Sequence, residues 1–307
     1  MLLNLFRLIY RGVRKILVFI IKSRLFEKQH HTKLDKILFW IFDKINTEKF
    51  NFSNSSDYLI IYGDKPTLYL ASKSSDLDKS VMKDRNFYLL DWVGPVVRDG
   101  SIVLDIGANT GVFGVSVANM FPQNRIFCFE PHPFLSSKLS NNVKINKLQN
   151  VSIVKKVVSD IDGTQSFYAQ NIEKSKNHGL SSINFDAVND EIVSKIDVES
   201  IKIDTFVRDL TLTKDEMISF IKIDVQGAEQ RVLAGALNVI KKYRPIIIFE
   251  HEDQFYDNPL ETKAWLQSMF TSQGYKVMLI SKNFYKVALP VDWSQGLEVD
   301  LIAIPTL

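Results

Sequence analysis

Cysteine is nearly missing from this 307-residue chain: Cys128 is the only one, which excludes an internal disulfide. It sits in the apolar run Arg125-Ile126-Phe127-Cys128-Phe129, so a buried thiol in a reducing compartment is expected. No set of cysteines and histidines has zinc-ligand spacing. Long apolar runs are missing from the N-terminal segment too. The longest there is the six residues Ile16–Ile21, far short of the ~18 that a spanning helix needs. No small-residue cleavage site follows, so a signal peptide is not expected. Internal repeats and low-complexity tracts are absent, and residues 1–26 hold no acid.

That last absence sets the charge of the whole chain. Arg7, Arg11, Arg14, Lys15, Lys22 and Arg24 all lie in the first 26 residues. With these six set aside, 32 basic residues stand against 35 acidic ones, so the net charge of +3 belongs to the N-terminus and the body is net acidic. An acidic body argues against a nucleic-acid partner. Basic side chains beside a wide apolar face suit a helix lying in an anionic membrane interface. A helix packed on the body or on a second protomer suits the same pattern. Leu34, Ile37, Leu38, Ile41, Phe42 and Ile45 then recur at helical spacing, as core or interface positions do.

The rest is what a globular α/β chain needs, with 46% hydrophobic residues for a core. Tyr58–Tyr62 and Thr67–Ala71 read as a hairpin turned by Gly63-Asp64-Lys65-Pro66. A polar break at 72–80 precedes a helix running to about Val93. From there strands (Ile102–Ile106, Arg125–Phe129, Val151–Val158, Ile218–Val225, Pro245–Glu250, Tyr275–Ile280, Glu298–Ile304) alternate with helices at 112–121, 133–146, 228–242 and 260–273. Such alternation predicts a largely parallel sheet covered by helices. Polar residues 170–199 interrupt the rhythm and are expected to leave the sheet near the site. The boundaries follow: an extension of basic amphipathic helices and hairpin over 1–75, and the main domain over 76–307.

Four strand ends carry the chemistry. Ile102–Gly111 is a buried strand ending in Asp105, then a turn with Gly107, Asn109 and Gly111 that opens a helix. Turns of this kind bind nucleotides at the carboxyl ends of strands. The middle glycine of a dinucleotide fingerprint is replaced by Asn109. S-adenosylmethionine has no pyrophosphate and fits the altered spacing: an acid such as Asp105 can receive its ammonium, and the turn its carboxylate. Glu130 ends the next strand, 25 residues on, where a carboxylate accepts hydrogen bonds from ribose hydroxyls. Ile221–Glu229 repeats the strand–acid–glycine–helix pattern around Asp224, with Lys222 and Glu229 as members of a polar network. Ile246–Glu252 brings Glu250 and His251 to the same edge, and an imidazole there is a candidate base.

Taken in order, these residues resemble the FkbM family of S-adenosylmethionine-dependent methyltransferases. The resemblance runs from about Met82 to Glu252. It rests on DIGANTG at 105–111, Glu130-Pro131, Val158-Ser159-Asp160 with Gly163, Ser181-Ser182, Asp204, IKIDVQGAE at 221–229, and Arg244-Pro245 leading to Glu250. It implies a doubly wound, Rossmann-like class I methyltransferase fold with a seven-stranded sheet whose last strand is antiparallel. It implies methyl transfer to an oxygen, often a hydroxyl of a saccharide, glycan or natural product. By the same resemblance Asp105, Gly107, Asn109 and Gly111 line the methionine end of S-adenosylmethionine. Glu130 holds the ribose, Ser159 and Asp160 lie near adenine, and Asp224 faces the methyl-transfer region. The family usually has Glu where this chain has Gln226, which bears on any role of that position as base or metal ligand.

The sequence-based mechanism places Asp224 or His251 as acceptor of a hydroxyl proton, with no metal. The expected partner is a small-molecule or saccharide acceptor. The expected location is the cytoplasm, at the inner face of a membrane if residues 1–26 bind one. Two rivals are a nicotinamide-dependent oxidoreductase, opposed by Asn109, and a non-catalytic, membrane-associated binding protein that keeps the fold, which only Gln226 favours.

Overall fold

The structure, a computed structural model, describes residues 49–51, 57–62, 65–70, 87–94, 96–170, 182, 193–280 and 288–306. The basic segment 1–26, the amphipathic stretch 34–45 and the break at 72–80 lie outside these residues.

Three short strands come first: β1 (Lys49–Asn51), β2 (Asp57–Tyr62) and β3 (Lys65–Leu70) form an antiparallel sheet. The expected hairpin is its β2–β3 pair, in the register Tyr62↔Lys65. Helix α1 (Phe87–Val93) leads into the main domain.

The central sheet is built from β4 (Ile102–Ile106), β5 (Arg125–Phe129), β6 (Val151–Val154), β10 (Ile218–Ile223), β11 (Ile246–Glu252), β12 (Tyr275–Ile280), β13 (Ala288–Pro290) and β14 (Glu298–Pro305). Their spatial order is β13-β12-β14-β11-β10-β4-β5-β6. Strands β6, β5, β4, β10 and β11 run parallel, and β14 lies antiparallel between β11 and β12. The doubly wound class with an antiparallel final strand is therefore as expected, but among the described residues the count is eight strands, not seven. The eighth is β13, three residues that pair with the outer edge of β12. So short a strand carries too little periodicity to be read from sequence.

The strands read as continuous apolar runs because both faces are covered. Side chains alternate between faces. Ile102, Leu104, Ile106, Ile221, Ile223, Ile247 and Phe249 pack on one side, beneath α4 (Ile203–Asp209), α5 (Glu229–Ala234), α6 (Leu237–Tyr243) and α7 (Pro259–Ser272). Val103, Ile126, Cys128, Phe220 and Ile248 pack on the other, against α1, α2 (Val112–Met120) and α3 (Pro133–Ile145). Cys128 is a free, fully buried thiol on that second face, and burial pushes its pKa well up.

Two elements depart from the periodicity for visible reasons. The expected strand Val151–Val158 divides: after β6 the chain leaves the main sheet, and β7 (Val157–Val158) pairs with β9 (Val193–Ile201) in a third sheet that β8 (Gly163–Gln170) completes, order β7-β9-β8. The expected helix 228–242 breaks at Gly235. A Cβ at Gly235 would stand 2.1 Å from the Ser159 carbonyl oxygen. Asp204 then caps the second half, accepting from the Asn238 and Val239 N–H groups at 3.1 and 2.9 Å. The expected excursion at 170–199 begins and ends in the antiparallel pair β8 (Gly163–Gln170) and β9. Between them only Ser182 is described, bridged to Tyr168.

Candidate active site

The carboxyl ends of β4, β5, β10 and β11 lie side by side, and their first turns carry the polar residues. Lys222 and Asp105 are direct partners in the β10–β4 register, on the face opposite Ile221 and Ile223. The Lys222 ammonium is 3.4 Å from Asp105 Oδ1 and 3.1 Å from Asp224 Oδ2. It also donates to the Gly107 carbonyl at 3.4 Å and lies 5.9 Å from the centre of the Phe113 ring. Burial opposes its charge, yet the two carboxylates hold its pKa above the usual lysine value. Lys222 in turn keeps the Asp224 carboxyl below the usual carboxylate range against the effect of burial.

Asp105 is fully enclosed. Its Oδ2 accepts the Gly114 N–H at 2.9 Å, at the start of α2, and its Oδ1 faces Lys222. Burial raises its pKa, only partly offset by Lys222 and the Gly114 N–H. The side chain thus supports the glycine turn from beneath and has no surface at the mouth.

The glycines of this turn are set by the protein's own packing. A Cβ at Gly107 would fall 1.8 Å from the Asp224 carbonyl oxygen, and one at Gly111 2.2 Å from a Leu139 methyl. Both residues have positive φ, 75° and 87°, which glycine alone adopts without strain. Asn109 is left-handed as well, at φ 53°; asparagine tolerates this better than most residues. The Asn109 N–H donates to Glu130 Oε2 at 2.8 Å, and the His132 N–H to Oε1 at 2.9 Å. Glu130 is buried, and burial pushes its pKa up to about 7.

His251 follows Glu250 on β11, so the two side chains point to opposite faces of the sheet. Only Glu250 stands with Asp224: Gln226 Nε2 lies 3.1 Å from Glu250 Oε2 and 3.5 Å from Asp224 Oδ1. The His251 ring is fully buried, 3.0 Å from Asp253 Oδ1 through Nε2 and stacked on Tyr256. Burial lowers its pKa, against the pull of Asp253. Lys263 also holds Asp253, at 2.8 Å. Glu229, expected beside Lys222, instead accepts from the Tyr256 hydroxyl and from the Val225 N–H at 3.3 Å. It thereby ties down the turn that follows Asp224, and Gly227 fits against Phe255, whose carbonyl oxygen a Cβ would approach to 2.7 Å. Asp160 is engaged by Arg231 and by the Ser159 hydroxyl, both at 2.8 Å.

The structure therefore gathers Lys222, Asp224, Gln226 and Glu250 beside the glycine turn, with Asp105 beneath it and Glu130 behind Asn109. It separates His251 from them. Tyr256, Asp253 and Arg231 carry no sequence motif. Strict alternation along β11 is the one signal that sets Glu250 and His251 on different faces.

The two raised glutamates give a testable pH dependence. Burial lifts Glu229 to about 7, like Glu130. A carboxyl whose folded pKa lies above its unfolded value stabilises the fold below the unfolded value, and that contribution is lost as pH rises through the folded one. The melting temperature of the ligand-free protein is therefore expected to fall between about pH 4.5 and 7 on account of these groups. Glu229→Gln should flatten the profile by its share. An unchanged slope in the variant would assign the effect elsewhere.

Among the described residues no group of three or more His, Cys, Asp or Glu is arranged to hold a metal ion. No helix there is long and apolar enough to cross a membrane. The residues fit S-adenosylmethionine: the turn at Gly107–Gly111 has no side chain at either glycine, and Glu130, held by two backbone N–H groups, keeps lone pairs for ligand hydroxyls. They suit a pyrophosphate poorly, since Lys222 is already shared between two carboxylates.

Comparison with known proteins agrees. The model of the methyltransferase FkbM domain matches residues 105–277. The 2-O-methyltransferase NoeI of Sinorhizobium fredii (strain NBRC 101917 / NGR234) is 29% identical over 181 residues, 54% of this chain and 69% of that protein. Methyltransferase sdnD of Sordaria araneosa is 24% identical over 248 residues, 69% of this chain and 94% of that protein. Methyltransferase 1 of Beauveria bassiana (strain ARSEF 2860) is 25% identical over 154 residues, and the chain spans 59% of its length. Among solved structures, a methyltransferase FkbM from Methylobacillus flagellatus KT superposes with a TM-score of 0.44 at 12% identity, over 76% of this chain and 55% of that one. With the family model matched over more than half of its length, the chain belongs to the FkbM family of S-adenosylmethionine-dependent methyltransferases.

Proposed function

We propose that the protein is an O-methyltransferase whose acceptor is a hydroxyl of a saccharide or related small molecule. The observation that carries this reading is Asp224. It is a carboxylate held ionised by Lys222, partly open to solvent, at the strand edge beside the glycine turn. The similarity to NoeI, a 2-O-methyltransferase, points the same way.

When bound, S-adenosylmethionine supplies a methyl group already activated by its sulfonium and retains the electron pair of the broken carbon–sulfur bond. The protein's task is then to orient the acceptor oxygen in line with that methyl and to receive its proton. Gly107, Asn109 and Gly111 would receive the methionine end. Glu130 keeps lone pairs beyond its two backbone donors for the ribose hydroxyls. Asp105 serves the same end through Gly114 and Lys222. By family resemblance, Ser159 and Asp160 belong to the adenine end. Of the two sequence candidates for proton acceptor we assign Asp224, and we give enclosed His251 the part of holding Tyr256 and Asp253.

The test is calorimetric titration with S-adenosylmethionine and with NADH, followed by transfer of labelled methyl to a panel of saccharides. Saturable binding of S-adenosylmethionine alone, with label in an ether-linked methyl, is the expected result. Binding with label on nitrogen, carbon or carboxyl acceptors only would overturn the assignment.

Residues 1–26 supply a second proposal, a peripheral contact with an anionic membrane, carried by six basic residues and no acid. The full chain is expected to sediment with anionic vesicles and a chain lacking residues 1–26 to stay in the supernatant. Equal sedimentation would remove the proposal.

A further inference from the structure

Asp224 and Glu250 stand at the adjacent carboxyl ends of β10 and β11 and share the Gln226 amide. Two carboxylates so placed repel each other when both are ionised, which favours a proton on one of them. The Gln226 amide spans both, donating to Glu250 at 3.1 Å and lying 3.5 Å from Asp224. The backbone at Gln226 is left-handed, φ 50°, a strained conformation for a residue with a side chain. Its carbonyl is held there by the Ser182 hydroxyl at 2.8 Å. The strain is thus retained at the position from which one amide reaches two acids.

The surroundings decide which acid holds the proton. Asp224 has the Lys222 ammonium at 3.1 Å. Among the described residues, the charges that weigh most on Glu250 are acids: Asp224 itself, Asp300 directly opposite on β14, and Glu252 on its own strand. Burial first, then these three charges, push its pKa well above the usual carboxylate range.

We propose that Glu250 is a positioning residue for the methyl transfer assigned above: protonated at neutral pH, it donates to Asp224 and, with Gln226, fixes that carboxylate in one orientation. Gln226 then has a defined part, since its amide supplies a donor to both acids without adding a third charge. The proposal rests on the reading of Asp224 as proton acceptor, but the protonation of Glu250 is testable apart from it.

The consequences separate positioning from mere support of the fold. Glu250→Gln retains a neutral donor, so turnover is expected to drop by no more than a few-fold and to lose its alkaline limb. Glu250→Ala leaves Asp224 free to turn, and turnover is expected to fall by about 10²-fold. Binding of S-adenosylmethionine is expected to be kept in both. Gln226→Glu adds a third carboxyl and is expected to move the alkaline limb to lower pH.

The deciding experiment is infrared difference spectroscopy of the ligand-free protein at about pH 8.5, above the values of about 7 at Glu130 and Glu229. The expected result is the carbonyl-stretch band of a protonated carboxylic acid, present in the unmutated protein and lost in Glu250→Gln. In the unmutated protein the band is expected to fade only on titration well above neutrality. No difference band, and none that titrates above neutrality, would overturn the proposal. The band with no methylated saccharide would keep the acid pair and sink the function reading. Methyl transfer without the band would do the reverse.

Discussion

Replacing Lys222 by methionine is expected to lower the unfolding free energy by about 3–5 kcal/mol, the usual cost of stripping one partner from a buried charge. The side chain is 5% exposed and Asp105 not at all. Lys222 is also the only cation within ion-pair distance of either Asp105 or Asp224 among the described residues. Methionine keeps the packing against Phe113, so the loss reports charge and not volume. Asp105 then has one strong partner left, the Gly114 N–H. The deficit should depend on pH with a defined sign. Without Lys222 the already raised pKa of Asp105 climbs further, so the variant suffers least in acid, where the carboxyl is protonated in both states. It loses more as pH rises. Adding Asp105→Asn should return part of the stability at neutral pH, because a neutral amide needs no counter-charge. Urea denaturation of the ligand-free single and double variants measures all three. A loss under about 1 kcal/mol would mean that water reaches Asp105 and that the pair is worth no more than a surface one.

Asp224→Asn is expected to reduce turnover by about 10²–10⁴-fold, the range typical of removing a positioned proton acceptor. Affinity for S-adenosylmethionine should change little, because the glycine turn is shaped by Asp105, Leu139 and the Asp224 main chain, all retained. Asparagine keeps an oxygen for Lys222 but loses the negative charge and with it the ability to take the proton. Turnover on the natural acceptor, with cofactor affinity measured separately, distinguishes the two effects. A parallel loss of cofactor binding would instead place Asp224 in the cofactor pocket, and unchanged turnover would discard it as proton acceptor. His251→Ala is the contrasting variant. Its ring is enclosed and stacked on Tyr256, so its effect should appear in the melting temperature before it appears in turnover.

Much of the sheet was legible because its strands are short apolar runs ended by polar residues. Ile102–Ile106, Arg125–Phe129 and Tyr275–Ile280 hold the bounds that the sequence suggests. The acid at the end of β4, β5, β10 and β11 marks the edge where the site forms. The elements that escaped are those whose cause lies elsewhere in the chain. Strands β8 and β9 are half-exposed, and their apolar face is limited to Phe167 and Ala169 against Ile196 and Val198 amid polar residues. The break at Gly235 depends on the Ser159 carbonyl and the Asp204 cap.

The sequence alone determined the class of fold, the family and the order of the acid-bearing strand ends, because buried strand periodicity and the glycine turn are local patterns. It also required glycine at 107 and 111, though not the reason: their missing side chains make room for the Asp224 carbonyl and for Leu139, contacts that exist only after folding. Which polar groups meet was decided by tertiary structure. Asp105 and Lys222 meet through the β4–β10 register, and Asp224 and Glu250 share the Gln226 amide because β10 and β11 end side by side. His251 is adjacent to Glu250 in sequence and lies on the other face, since a pleated strand sends neighbouring side chains in opposite directions.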